Sequence, residues 1–431
     1  MKTVNRVKLA VRYFSGHYRR YIFLILAVSF GFAIITTMTS LAAGMYDNVY
    51  RAAQQHYGGQ LFVLGFHKQY GHLGLIRDDQ AVMDAVRKLD VQPDRMVKRT
   101  LFFADGILYF AGNSSRQKNV YGVDWDVEAD DFAKLDYSEG GSANLSDGKG
   151  IIISEPVAEQ LGARVGDDVV LKVRTKTGQN NTGTFVIKGI FRDESIFGYY
   201  KCYVDRRELN NLLAFEEEDY FSLGLYFNNA VDASELSFQL HSELEKKLPM
   251  SSFITRKEEY TFEQGMHWEG IRHFVMTLEI FVSQVSELLT AMNLVSYFLY
   301  IMISLIVLVS VSVTYRLIIH ERTAEIGTMR SMGFQRGDIL GILLGEALLV
   351  FAVSLVIGAL LSLLVLWIIS LFSFSFIPGF EIFMTKGRLL PLFTISDILS
   401  NIGLLIIIIF PALLIPSFRA SRLELTKALG D

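Results

Sequence analysis

Four stretches of this 431-residue chain contain no Asp, Glu, Lys, Arg or His: 21–46, 288–315, 347–380 and 398–418. Each exceeds the roughly 20 residues that cross a hydrocarbon core of about 30 Å. The pattern therefore predicts four transmembrane helices, with the third taken as 347–372 and its run long enough to include a re-entrant stretch before Pro378-Gly379. Leu41-Ala42-Ala43-Gly44 has the small residues of a cleavage site. However, the first run is much longer than a signal h-region of about 7–15 residues and follows a long basic segment, so it is expected to stay as a span.

Residues 47–287 carry a different pattern, with short apolar runs broken by Gly-rich turns. Strands are expected at 60–65, 96–103, 107–111, 150–154, 168–174, 184–191, 201–204 and 221–227, and helices at 78–89 and 232–248. Ser154 before Glu155-Pro156 is a helix start, and Gly162 after Leu161 is its expected cap. Toward the second span, Ile271, Val275, Leu278, Val282, Val285, Leu289 and Met292 recur at alternating steps of four and three. That is the seam of a coiled coil, and no Pro or Gly interrupts 271–315. A rigid helical stalk over about 262–290 is the expectation, with an amphipathic helix packed on the outer domain as the plainer alternative.

Charge orients these elements. Residues 1–20 carry Lys2, Arg6, Lys8, Arg12, Arg19 and Arg20 and no acid, which keeps the N-terminus in the cytoplasm. Four spans return the C-terminal tail 419–431, with Arg419, Arg422 and Lys427, to the same side; the 316–346 connection, with Arg316, Arg322, Arg330 and Arg336, is also cytoplasmic. Residues 47–287 hold 26 Lys/Arg against 37 Asp/Glu, a net of −11, although the whole chain carries only −4. Cys202 is the single cysteine, so no disulfide within the chain holds the outer domain, which at its length can form its own core.

Between the second and third spans lies Glu321-Arg322-Thr323-Ala324-Glu325-Ile326-Gly327-Thr328-Met329-Arg330-Ser331-Met332-Gly333-Phe334. Ile326, Met329 and Gly333 share one face of a helix, with Glu321, Arg322, Glu325 and Arg330 elsewhere. Gly333 is a natural C-terminal cap. Small residues at Ala27 and Gly31, Gly341 and Gly345, and Gly358, Ala359 and Ser362 offer close helix contacts in lipid.

The segment's pattern, E-R-x-x-E-I-G-x-x-R-x-x-G-F, resembles the cytoplasmic loop of the FtsX-like permease family of ABC transporters. The resemblance implies that Glu321, Arg322, Glu325, Ile326, Gly327, Met329, Arg330, Gly333 and Phe334 form a coupling helix for a separate ATPase subunit. Lys8-Leu9-Ala10-Val11-Arg12-Tyr13-Phe14 is similar to the family's entry helix, and Pro416 to Glu424 to its tail, with Ser417-Phe418 where a small residue and Trp are usual. Leu161-Gly162-Ala163-Arg164-Val165-Gly166-Asp167 followed by two strands and Gly189-Ile190-Phe191 resembles the outer domain of MacB-like and LolC/LolE-like permeases. By that likeness an insert of about 120–219 lies within halves at 47–119 and 220–287.

The expected fold is thus a membrane protein of four transmembrane α-helices with a large α+β extracytoplasmic domain between helices 1 and 2. No G-x-x-x-x-G-K-[ST] occurs, so the chain has no phosphate-binding loop of its own. No H-E-x-x-H, paired Cys motif or G-x-S-x-G occurs either, so no catalytic or metal residue is assigned. His267 and His273 are six apart on an expected helix, and Glu216-Glu217-Glu218-Asp219 reads as a solvated loop. No ionisable residue interrupts a span as drawn, which speaks against an ion path. The resemblance implies a multi-pass permease of a bacterial inner membrane that binds no cofactor itself and uses ATP and Mg²⁺ on its ATPase partner. Membrane lipids and a second permease copy or paralogue are the other partners, with lipoprotein or amphiphilic cargo and no nucleic acid. The alternative is an FtsX-type mechanotransmitter that regulates a cell-wall hydrolase.

Overall fold

The computed structural model describes residues 12–421 apart from 13, 17, 69–72, 103–105, 144, 146–148, 194–196, 229–231, 375, 378–379, 381–382 and 385–386. Most of the expected entry helix, the tail beyond Ser421, and Pro378-Gly379 lie outside the described residues. The chain divides into a membrane unit (Met1–Asp47, Leu289–Phe376, Gly387–Asp431) and an outer unit (Asn48–Leu288, Ile377–Lys386).

The helices number α1 to α12 in chain order. Four are long and apolar enough to cross a membrane: α1 (Ile22–Tyr57), α9 (Ser283–Glu321), α11 (Arg336–Leu371) and α12 (Ile395–Ser421). They are longer than the apolar runs because polar turns extend each helix, and α11 therefore includes Glu346, at 2% exposure. Glu346 stands one residue before the third span as drawn from the sequence. Small residues set the helix contacts within this unit. A Cβ on Gly31 would meet the Val307 side chain of α9, and one on Gly358 would lie 2.7 Å from the Ser29 carbonyl and 3.0 Å from the Phe32 ring. The Ser29 hydroxyl donates to the Ser354 carbonyl at 2.9 Å.

The outer unit is built on β1 (Leu61–His67), β2 (Leu73–Gly74), β3 (Arg95–Phe102), β4 (Gly106–Phe110), β5 (Asn113–Gln117), β6 (Val120–Val123) and β7 (Tyr137–Gly140). It continues with β8 (Gly150–Ser154), β9 (Asp168–Arg174), β10 (Asn180–Phe191), β11 (Cys202–Asp205), β12 (Ser222–Tyr226) and β13 (Ile271–Thr277). The order is β13-β1-β12-β3-β6-β11-β8-β10-β9-β4-β5, with β2 beside β1 and β7 beside β10. Two halves share this sheet. In the first, α2 (Asp79–Val86) and α6 (Ala233–Glu245) bury Val82, Val86, Leu240 and Leu244 with Leu61, Val63, Leu223 and Val275. In the second, α4 (Glu155–Leu161) and α5 (Arg206–Leu213) bury Val157, Leu161 and Leu209 with Ile151, Ile153, Leu171 and Ile187. The remaining short helices are α3 (Trp125–Ala133), α7 (Lys257–Gly265) and α8 (Leu278–Phe281).

The α4 helix has the start and stop read from the sequence, with Pro156 in its first turn and Gly162 at φ 68°. The insert is larger than expected: β4 pairs with β9, so residues from β4 onward belong to the second half rather than only those beyond 120. One strand, β3, serves both halves. Arg95 to Arg99 pair with β12, and Thr100 to Phe102 pair with β6.

The stalk expectation is corrected over its first part. Ile271 and Val275 lie in β13, which pairs antiparallel with β1 over seven residues, from Leu61↔Thr277 to His67↔Ile271. Leu278 lies in α8, and Val282 sits at a break before α9. His273-Phe274-Val275-Met276-Thr277 is buried throughout, so both faces of the strand are covered and the apolar residues do not alternate. That run mimics a helical seam when only every third or fourth residue is read. Val285, Leu289 and Met292 do lie in one helix, where Leu289 and Met292 line a groove with Met38, Leu41 and Met45 of α1. His267 lies outside any helix and His273 is buried in β13. Asp219 is buried and accepts from the Glu216 amide at 3.0 Å, so that end of the acidic run is not solvated.

Candidate coupling site

The segment between α9 and α11 folds as α10 (Thr323–Ser331). Its end follows from Gly333 at φ 93°. The Phe334 amide donates to the Met329 carbonyl at 3.2 Å and the Gly333 amide to the Arg330 carbonyl at 3.0 Å. This paired arrangement is the Schellman motif, and it places Phe334 back against the bundle core that contains Met329. The Gln335 amide then donates to the Asp338 carboxylate at 3.3 Å, and α11 begins. Turn and helix start follow one another without a slack residue.

The two faces of α10 have different fates. Ile326 (0% exposed), Gly327 and Met329 turn inward, where Ile326 and Met329 join Ile318, Ile319, Ile339 and Ile342 in the core. Ala324, Thr328 and Ser331 are exposed, as are Glu321 and Gly333 beyond the two ends, and Met332 is 66% exposed. The Thr328 hydroxyl donates to the Ala324 carbonyl at 2.9 Å and that of Ser331 to the Thr328 carbonyl at 2.8 Å, so both are satisfied within the helix. The face that the sequence reading marked as shared by Ile326 and Met329 is therefore the anchoring face. The face open to another molecule is the small, uncharged one.

Arg322 is not a surface charge. Its side chain is 3% exposed and forks between two acids: Nε donates to Glu325 Oε2 at 2.9 Å, and Nη1 pairs with Glu346 Oε2. The Tyr21 hydroxyl donates to the same Glu346 oxygen at 2.8 Å and lies 3.3 Å from Arg322 Nη1. Arg20 Nη1 reaches Glu325 Oε1 at 3.4 Å. One buried polar hub thus joins α10, α11 and the residue that precedes α1. Arg330 and Phe334 are half-buried. Sequence reading missed Tyr21, Glu346 and Arg20. The signal available for Glu346 was a lone acid five residues after Gly341 in an otherwise apolar stretch.

Burial raises the Glu325 carboxyl, but the Arg322 and Arg20 guanidinium groups more than offset it and hold the group below its ordinary value. A depressed carboxylate contributes stability that is fully present above the unfolded value of about 4.3 and is lost as pH falls through the folded value. Docking of α10 on the bundle is therefore expected to be unchanged between about pH 8 and 5. Release is expected only in stronger acid. Protease susceptibility of the α10 segment across that range checks this, and release between pH 7 and 6 would contradict it.

Cys202 is fully buried in β11, and burial pushes its thiol up to about 12. A buried thiol of this kind is expected to resist labelling in the folded protein.

Comparison with known proteins gives two family matches. The model described as MacB-like periplasmic core domain matches residues 22–242, and the model described as FtsX-like permease C-terminal matches residues 297–425. No curated protein matches the chain. Among solved structures, the periplasmic region of MacB from Actinobacillus actinomycetemcomitans is 12% identical with a TM-score of 0.32, covering 53% of this chain and 92% of that one. A domain of a putative permease protein from Porphyromonas gingivalis is 13% identical with a TM-score of 0.28, covering 50% and 86%.

Proposed function

The chain belongs to the family of FtsX-like permeases with a MacB-like periplasmic core domain, and from that premise we propose that it couples ATP hydrolysis on a separate ABC ATPase to movement of its outer domain. The observation that carries this reading is the split character of α10. One face is locked into the bundle through Ile326, Met329 and the Arg322–Glu346–Tyr21 hub, while the other is free for a partner. A displacement applied to the free face passes to α11 and to the start of α1, because close-packed cores and buried ion pairs do not yield gradually. ATP and Mg²⁺ act on the partner, and a second permease copy or paralogue completes the transporter. The membrane is a bacterial inner membrane, with both termini cytoplasmic.

The cargo we infer is an amphiphile, such as a lipoprotein or a lipidated peptide. A cavity of about 840 Å³ opens between α1, α9 and α12. Its wall is apolar at Leu305, Leu308, Leu404 and Ile407 and polar at Tyr46, Asn293, Ser296 and Asp397. An aliphatic chain suits the first set and a polar head the second. A cavity in the membrane unit favours cargo over pure mechanotransmission, which needs none.

Orientation is tested with cysteines placed at exposed positions, since native Cys202 is buried. In intact spheroplasts, Glu159→Cys is expected to react with a membrane-impermeant maleimide, and Thr328→Cys only after permeabilisation. The reverse pattern would overturn the reading.

A further inference from the structure

The last turn of α1 belongs to the outer unit, where several of its groups are held by hydrogen bonds. The last carbonyls of a helix have no partner inside it. Here they are met in turn. The Gln54 carbonyl accepts from the Gly58 amide at 2.8 Å and from the Tyr226 hydroxyl at 3.2 Å. The Gln55 and His56 carbonyls accept from Arg99 Nη2 at 3.0 Å and Nη1 at 2.5 Å. Arg99 is 2% exposed, and its Nε donates to the two Glu128 oxygens at 3.2 and 3.0 Å. Glu128, in α3, is fully buried. The helix side chains are held as well: Gln55 Nε2 donates to the Asp131 carbonyl at 2.6 Å, and the His56 ring lies 2.6 Å from the Tyr203 hydroxyl and 2.5 Å from Asp193. Gly58, at φ 84°, leaves the room this needs, since a Cβ there would lie 2.7 Å from Arg99 Cζ.

The position of Arg99 in the sheet gives the joint its meaning. Arg99 is the last residue of β3 paired with β12, opposite Ser222, and Thr100 is the first pairing of β3 with β6, opposite Gly122. The guanidinium that holds the end of α1 therefore stands on a strand shared by both halves of the outer unit, at the residue where that strand passes from one half to the other. An exposed helix end needs only water for its last carbonyls. A buried, carboxylate-paired Arg is a costly way to cap a helix, because both charges lose their hydration. What it adds is a stiff, directional fork that a neutral cap lacks.

We propose that Arg99 is a positioning residue that fastens the C-terminal end of α1 to the seam between the two halves of the outer domain, so that movement of α1 changes the relation of those halves. This rests on the permease reading above. In that scheme Glu128 holds the guanidinium plane, and Arg99 carries the load to β3.

The test uses the full chain with its co-expressed ABC ATPase in nanodiscs, with spin labels at exposed Glu159 in α4 and Glu235 in α6, one in each half. ATP with vanadate is expected to shift the label-to-label distance in the otherwise unchanged chain. Arg99→Met/Glu128→Leu removes both charges together, a change that leaves folding near neutral in other buried pairs. It is expected to retain ATPase association and hydrolysis and to lose the distance shift. A shift of unchanged size in the double variant would overturn the proposal. Absence of a shift in the parent chain while the ATPase associates and hydrolyses ATP would overturn the proposal alone, whereas failure of any ABC ATPase to associate with the parent chain would overturn the permease reading. Should the double variant not fold, Arg99→Lys decides. Lys keeps the charge opposite Glu128 but lacks the planar fork, so a reduced shift supports the proposal and a full one refutes it.

Discussion

Arg322→Met is expected to destabilise the membrane unit by about 3–5 kcal/mol, the cost of leaving a buried charge without its partner. Glu346 is 2% exposed and would keep only the Tyr21 hydroxyl on one oxygen. The double variant Arg322→Met/Glu346→Leu should recover most of that loss, because apolar replacement of both members removes the stranded charge. Thermal unfolding of the purified chain in detergent distinguishes these results, and equal stability of single and double variants would show that the pair is not a buried unit. Function should not recover with stability. The double variant no longer ties α10 to α11 and Tyr21 through directional bonds, so ATP hydrolysis by the partner should persist while cargo release falls.

The second large effect separates the two faces of α10. Ile326→Ala removes a fully buried side chain from the bundle core and is expected to cost about 2–5 kcal/mol. Thr328→Glu should change stability by no more than about 0.5 kcal/mol, since the position is exposed. Its effect falls on the partner instead. A carboxylate buried without a counter-charge in an interface costs about 2–5 kcal/mol, and each 1.4 kcal/mol is about a tenfold loss of affinity. Co-purification with the ATPase should therefore fail for Thr328→Glu at full thermal stability, and persist for whatever fraction of Ile326→Ala folds. If Thr328→Glu binds the ATPase normally, the open face of α10 is not the docking face.

The sequence by itself determined the four spans, because a run of twenty or more apolar residues has few solutions in lipid other than a helix that satisfies its own backbone. It also determined local features that depend on neighbouring residues alone. The Gly333 cap, the Ser154–Gly162 helix and most of the strands of the outer unit are of this kind, since a left-handed glycine or a short β-branched run needs no distant partner to be favoured.

Tertiary structure decided what required knowing which surface each residue meets. Residues 271–277 satisfy a helical spacing and a buried strand equally well, and only the open edge of β1 selects the strand. Ile326 and Met329 were recognisable as one face, but periodicity does not say whether an apolar face meets a partner or the chain's own core, and here the core claims it. β4 and β5 belong to the inserted half because β9 lies beside them, a pairing across more than sixty residues that no local pattern encodes. Arg322 read in sequence as one charge of the coupling segment, and nothing in the sequence singled out Arg99. Their roles depend on Glu346 and Glu128, 24 and 29 residues away, because burial turns a charge from a solvated surface group into a fixed joint.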